Sequence, residues 1–139
     1  MHEAHSEERL KEILERALTA LENGCREHIY RRCPETGRRI IWHLARDLER
    51  LNACCPKYQI DDEETYFEII TDCLEVALED PSEHYKRPAD YISTHPETDG
   101  LEMFAFVVEL DDFTRPIYTK FCLKKLPDGD WYVSIDCHT

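Results

Sequence analysis

Glycine is scarce, four residues in 139, and no two are spaced to cradle a nucleotide phosphate. A GxSxG elbow, an HExxH pair and an EF-hand loop are equally missing, which excludes the hydrolase, zincin and calcium-loop chemistries those patterns serve. Seven cysteines contain no CxxC, and the number is odd. The adjacent Cys54 and Cys55 are hard to join to each other and have no second pair at metal-ligand spacing. Neither a metal nor a cofactor is therefore expected. Cys73 falls in a helical pattern, and Cys122 and Cys137 fall in strand patterns, where reduced cysteine acts as a small hydrophobe. No apolar run approaches the ~20 residues of a membrane span. The first residues are acidic and amphipathic, without the basic start and apolar run of a signal peptide, so a cytoplasmic protein is expected.

Charge is unevenly placed. The net charge of −13 argues against a general nucleic-acid binder, which needs a basic surface. Residues 61–83 hold ten acidic side chains and no lysine or arginine. That block reads as a solvated helix face, with docking of a basic protein partner as the alternative. Residues 26–50 hold seven arginines. Four of them, Arg31, Arg32, Arg38 and Arg39, bracket one turn and are candidates for holding a phosphate, unless Glu27 and Glu35 pair with them.

The hydrophobic pattern gives one α+β domain over residues 1–139, with a helical part at 6–80 and antiparallel strands at 102–138. Ser6 suits an N-cap. Leu10, Ile13, Leu14, Ala17, Leu18 and Leu21 then mark a helix that stops at Asn23-Gly24. The segment from Arg26 to Cys33 fits a short edge strand, and Pro34 to Gly37 a turn. Ile40, Ile41, Leu44, Leu48 and Leu51 mark a second helix, ended by Cys55-Pro56. A third begins at Asp61 or Asp62, carries Phe67, Ile70, Cys73, Leu74, Ala77 and Leu78 inward, and ends at Asp80-Pro81. Residues 81–100 read as an ordered loop or a helical turn.

The last forty residues alternate with period two. Phe104, Phe106, Val108 and Leu110 share one face of a first strand. Ile117, Phe121 and Leu123 share one face of a second, and Trp131, Val133, Ile135 and Cys137 one face of a third. The helices are expected to cover that face and to leave Tyr118, Lys120 and His138 on an exposed one.

Those three side chains, with His84, Tyr85, Lys86, Arg87 and His95 before the sheet, form a metal-free set suited to RNA cleavage through the 2′-hydroxyl. The reaction needs a base for the 2′-OH, a cation for the charge on phosphorus and an acid for the departing 5′-oxygen. Histidine serves either proton role near neutral pH, and lysine or arginine suits the phosphate. A solvated strand face carries the same residue types without any chemistry.

The segment Glu79-Asp80-Pro81-Ser82-Glu83-His84-Tyr85-Lys86, the strand Ile117-Tyr118-Thr119-Lys120-Phe121 and the ending Val133-Ser134-Ile135-Asp136-Cys137-His138 resemble toxins of the MqsR type. The resemblance covers roughly residues 62–139. It implies a RelE/MqsR-like α+β fold, mRNA interferase activity, an RNA substrate and an antitoxin partner. It places Lys86, Tyr118 and His138 at catalytic positions with Lys120 beside them, while Arg87, from the residue set before the sheet, is a candidate for binding the phosphate. The chain departs from the family in offering Met103, Phe104 or Ala105 where the toxins carry a glutamine, and in its longer helical region. Two other readings stand beside the toxin. One is a non-catalytic acidic module that binds a basic partner through residues 61–83. The other is a phosphate-ligand or nucleotide-binding regulator that uses Arg31–Arg39.

Overall fold

The computed structural model describes residues 6–28, 31–32, 39–40, 42–86 and 101–139. Helix α1 (Glu7–Glu22) starts where the Ser6 hydroxyl accepts from the Arg9 amide at 3.1 Å, with Glu7 and Glu8 at the positive end of the helix. It ends in a Schellman turn. The Cys25 amide donates to the Ala20 carbonyl at 2.9 Å and the Gly24 amide to that of Leu21 at 3.2 Å, with Gly24 at φ 76°. Helix α3 (Glu63–Glu79) is capped by the Asp62 carboxylate, which takes the Thr65 amide at 2.6 Å. Its acidic residues Glu63, Glu64, Glu68, Asp72, Glu75 and Glu79 are exposed, as a solvated face requires, while Tyr66 to Ala77 supply the buried stripe.

Between these helices lie β1 (Arg26–His28), β2 (Arg31–Arg32), β3 (Arg39–Ile40) and helix α2 (Trp42–Ala53). The edge strand expected after Gly24 is present, and it pairs parallel to the last strand of the chain. Ile40 belongs to β3, opposite Arg31, and not to the second helix. A β-branched pair, Ile40-Ile41, fits a strand end as well as a helix start, and the helix begins at Trp42. The Pro34–Gly37 turn lies outside the described residues. A short helix α4 (Pro81–His84) then leads to the terminal sheet.

Strands β4 (Met103–Val108), β5 (Ile117–Lys125) and β6 (Trp131–His138) form an antiparallel meander, and the sheet order is β1-β6-β5-β4. The fold is α+β. The register puts Phe104 opposite Phe121 and Phe121 opposite Ile135, so these share one face with Phe106, Ile117, Val133 and Cys137. Helices α1 and α3 pack on each other and over this face, and the core is continuous from Leu10 through Ile70 to Phe106 and Phe121. Leu110 lies past the end of β4, in the turn closed by the Phe113 amide on its carbonyl at 3.1 Å, yet still packs on the core.

The opposite face is not openly solvated. Met103, Ala105 and Cys122 on it are buried, with Leu101 packed against Met103 and Cys122. The expectation of a bare face fails because alternation on the edge strand is incomplete: β4 is apolar on both sides.

Candidate active site on the second sheet face

Strand alternation places Tyr118, Lys120 and His138 together on this second face. Tyr118 and His138 are direct cross-strand partners, and Lys120 stands one rung along the same face of β5. The two rings stack, with centroids 5.5 Å apart and planes 30° apart. All three side chains are half-buried.

His138 is held from both sides of the chain. β6 ends on it, and the Thr139 hydroxyl donates to the Arg50 carbonyl at 3.1 Å, which ties the following residue to α2. Its Nδ1 comes within 3.5 Å of the Thr139 carbonyl oxygen. A proton on Nδ1 leaves the Nε2 lone pair to act as base. Burial pushes the imidazole below its ordinary value. The Asp47 carboxylate and the Thr139 carbonyl oppose that shift, and the Arg50 and Lys120 cations add to it. Burial wins, so the ring is neutral near pH 7, the state a general base needs.

A buried polar network supports this histidine. Among the described residues β1 is registered against β6 as far as Ile135, and beyond that rung a main-chain group of β6 meets a side chain. That side chain is the Tyr66 hydroxyl of α3. It accepts the Cys137 amide at 2.6 Å, and lies 3.3 Å from the Cys137 carbonyl and 3.2 Å from Asp47 Oδ2, two acceptors for its proton. Asp47 itself is only 7% exposed. These two positions were legible only as anomalies, a carboxylate and a phenol inside apolar helical stripes, and neither stood out as functional.

Lys86 lies beyond the outer edge of β4. Its amide donates to the Ala105 carbonyl at 3.0 Å, next to the Tyr85–Phe106 bridge. Tyr85 lays its ring edge-on to Phe106 on the core face at 5.3 Å, so an extended chain turns Lys86 toward the second face. Lys86 is then two strands from Lys120, about 10 Å between main chains. In the structure the Lys86 ammonium is exposed and donates to the Glu83 carbonyl at 3.2 Å. His84 has a different task. Its Nδ1 donates to the Val107 carbonyl at 3.0 Å, so residues 84–86 cap the outer edge of β4.

Of the arginine cluster, only Arg31, Arg32 and Arg39 fall among the described residues, and there only as main chain. Arg31 and Arg32 form β2 and Arg39 lies in β3, paired across a separate two-stranded ladder. Arg38, Arg87 and His95 lie outside the described residues. Among the described residues no group of three histidine, cysteine or acidic side chains is placed to hold a metal ion, and no helix is long and apolar enough to cross a membrane. Comparison with protein-family models, curated proteins and solved structures finds no match.

Proposed function

We propose that this chain is a metal-independent endoribonuclease toxin of RelE/MqsR-like architecture, acting on RNA in the cytoplasm and held in check by an antitoxin protein. The observation that carries the reading is the stacked Tyr118–His138 pair beside Lys120, with a histidine that burial keeps neutral. In this mechanism His138 takes the proton of a ribose 2′-hydroxyl. The 2′-oxygen attacks the adjacent phosphorus, and the bond to the 5′-oxygen breaks as Tyr118 returns a proton to it. The products are a 2′,3′-cyclic phosphate end and a 5′-hydroxyl end. Lys86 and Lys120 bind the phosphate and offset the charge that builds on its oxygens. Few cations line the site among the described residues, in a chain of net charge −13, so RNA is held weakly and turnover falls as salt rises.

Induced expression in bacteria tests the reading. Wild-type chain arrests growth, and folded Lys86→Ala, Tyr118→Phe and His138→Ala variants release it. Continued growth with abundant soluble wild-type protein and intact RNA refutes it.

A further inference from the structure

A groove of about 300 Å³ opens between α3 and the turn joining β4 to β5. Its apolar lining is Val76, Leu110, Phe113 and Tyr58. Tyr58 is the one large apolar side chain left exposed among the described residues, at 40%, with its ring edge-on to Phe113 at 6.5 Å. The volume sits at the lower end of ligand pockets, room for an anchoring side chain rather than a whole helix.

The rim carries one sign of charge. Asp72, Glu75 and Glu79 rise from α3, and Asp111 and Asp112 from the turn. Lys57 pairs with Asp112 at 3.0 Å, but no lysine or arginine lines the groove itself among the described residues. The negative field is felt by its members. The Asp72 carboxyl is pushed up by burial and by Glu75 and Asp112. The Tyr58 hydroxyl is pushed up to about 12 by burial, with Cys55, Asp112 and Asp72 adding. An apolar floor under crowded carboxylates is complementary to an apolar anchor flanked by cations.

We infer that this groove docks a cationic peptide segment of a partner protein, one aromatic or aliphatic side chain entering over Tyr58 and Phe113 while lysines or arginines on either side meet Asp72, Glu75 and Asp112. The inference is independent of the nuclease reading.

The probe is a fluorescein-labelled peptide with a Trp-Leu centre and two basic residues on each side, read by fluorescence anisotropy and by amide shifts of the 15N-labelled chain. The largest shifts are expected at Tyr58, Val76 and Phe113. Tyr58→Ser weakens binding about tenfold. The Asp72→Asn/Asp112→Asn double variant weakens it by a similar factor, and a peptide with Gly-Ser in place of Trp-Leu binds more weakly still. Removing two charges elsewhere, with Glu7→Gln/Glu8→Gln, leaves binding unchanged. Equal binding of the Gly-Ser peptide, or equal loss in the α1 variant, makes the contact diffuse electrostatics and overturns the inference. So do shifts that map elsewhere or an absence of binding. A dimer of the chain alone that Tyr58→Ser dissociates assigns the groove to a second copy and overturns it too.

Discussion

Replacing Tyr66 by Phe removes one oxygen and leaves the packing of α3 unchanged. That oxygen is the partner of the Cys137 amide at 2.6 Å, approaches the Cys137 carbonyl at 3.3 Å and Asp47 Oδ2 at 3.2 Å, and is fully buried. The substitution takes an acceptor from a buried amide and a donor from a nearly buried carboxylate. Each such loss costs about 1–3 kcal/mol, so about 2–6 kcal/mol is expected in all. For a chain of this size that lowers Tm by about 6–25 °C. Urea and thermal unfolding measure the loss, and amide hydrogen exchange at Cys137 locates it. A second readout separates this network from general destabilisation. Loosening the end of β6 exposes His138, so Tyr66→Phe raises the ring's pKa toward its ordinary value. Asp47→Asn removes the charge that holds the pKa up, so it lowers the pKa further. A stability loss below about 0.5 kcal/mol for Tyr66→Phe, or shifts of the same sign in the two variants, refutes the reasoning.

Three further outcomes follow from the same structure. His138 binds its proton less tightly folded than unfolded, so it makes no demand above pH 6.5 and costs stability as pH falls from there through its folded pKa. Urea unfolding between pH 7 and 5 therefore has a slope that His138→Gln flattens. Gly24→Ala loses about 1 kcal/mol in thermal unfolding, because φ 76° strains any side chain although nothing stands within 4 Å of a Cβ there. Asp62→Ala lowers Tm through loss of the α3 cap, measured against Asp61→Ala as a neighbour that caps nothing.

The parts of the fold legible in the sequence are those where one period runs long enough to register. Leu10 to Leu21 and Tyr66 to Ala77 repeat at helical spacing between identifiable caps, and Phe104 to Cys137 alternates between turns. β1 was legible only as a short edge strand, because three residues, Arg26 to His28, are too few to announce a parallel partner more than a hundred residues away. The second sheet face was misjudged for a similar reason. Met103 and Ala105 are polar-face positions occupied by apolar residues, and burial there depends on packing that alternation does not encode. Of the site, strand register alone gave the Tyr118, Lys120 and His138 cluster. The Asp47–Tyr66 support was hidden because its members come from two helices and meet at a strand end.

The most direct test of the nuclease reading is purified chain incubated with bacterial RNA in excess chelator, with the fragment ends identified chemically. The account predicts 2′,3′-cyclic phosphate ends, with a rate lowered about 10²–10⁴-fold by His138→Ala and no cleavage where a 2′-deoxy sugar precedes the phosphate. Intact RNA, fragments ending in 3′-hydroxyls, or undiminished cleavage by a folded His138→Ala chain contradicts it.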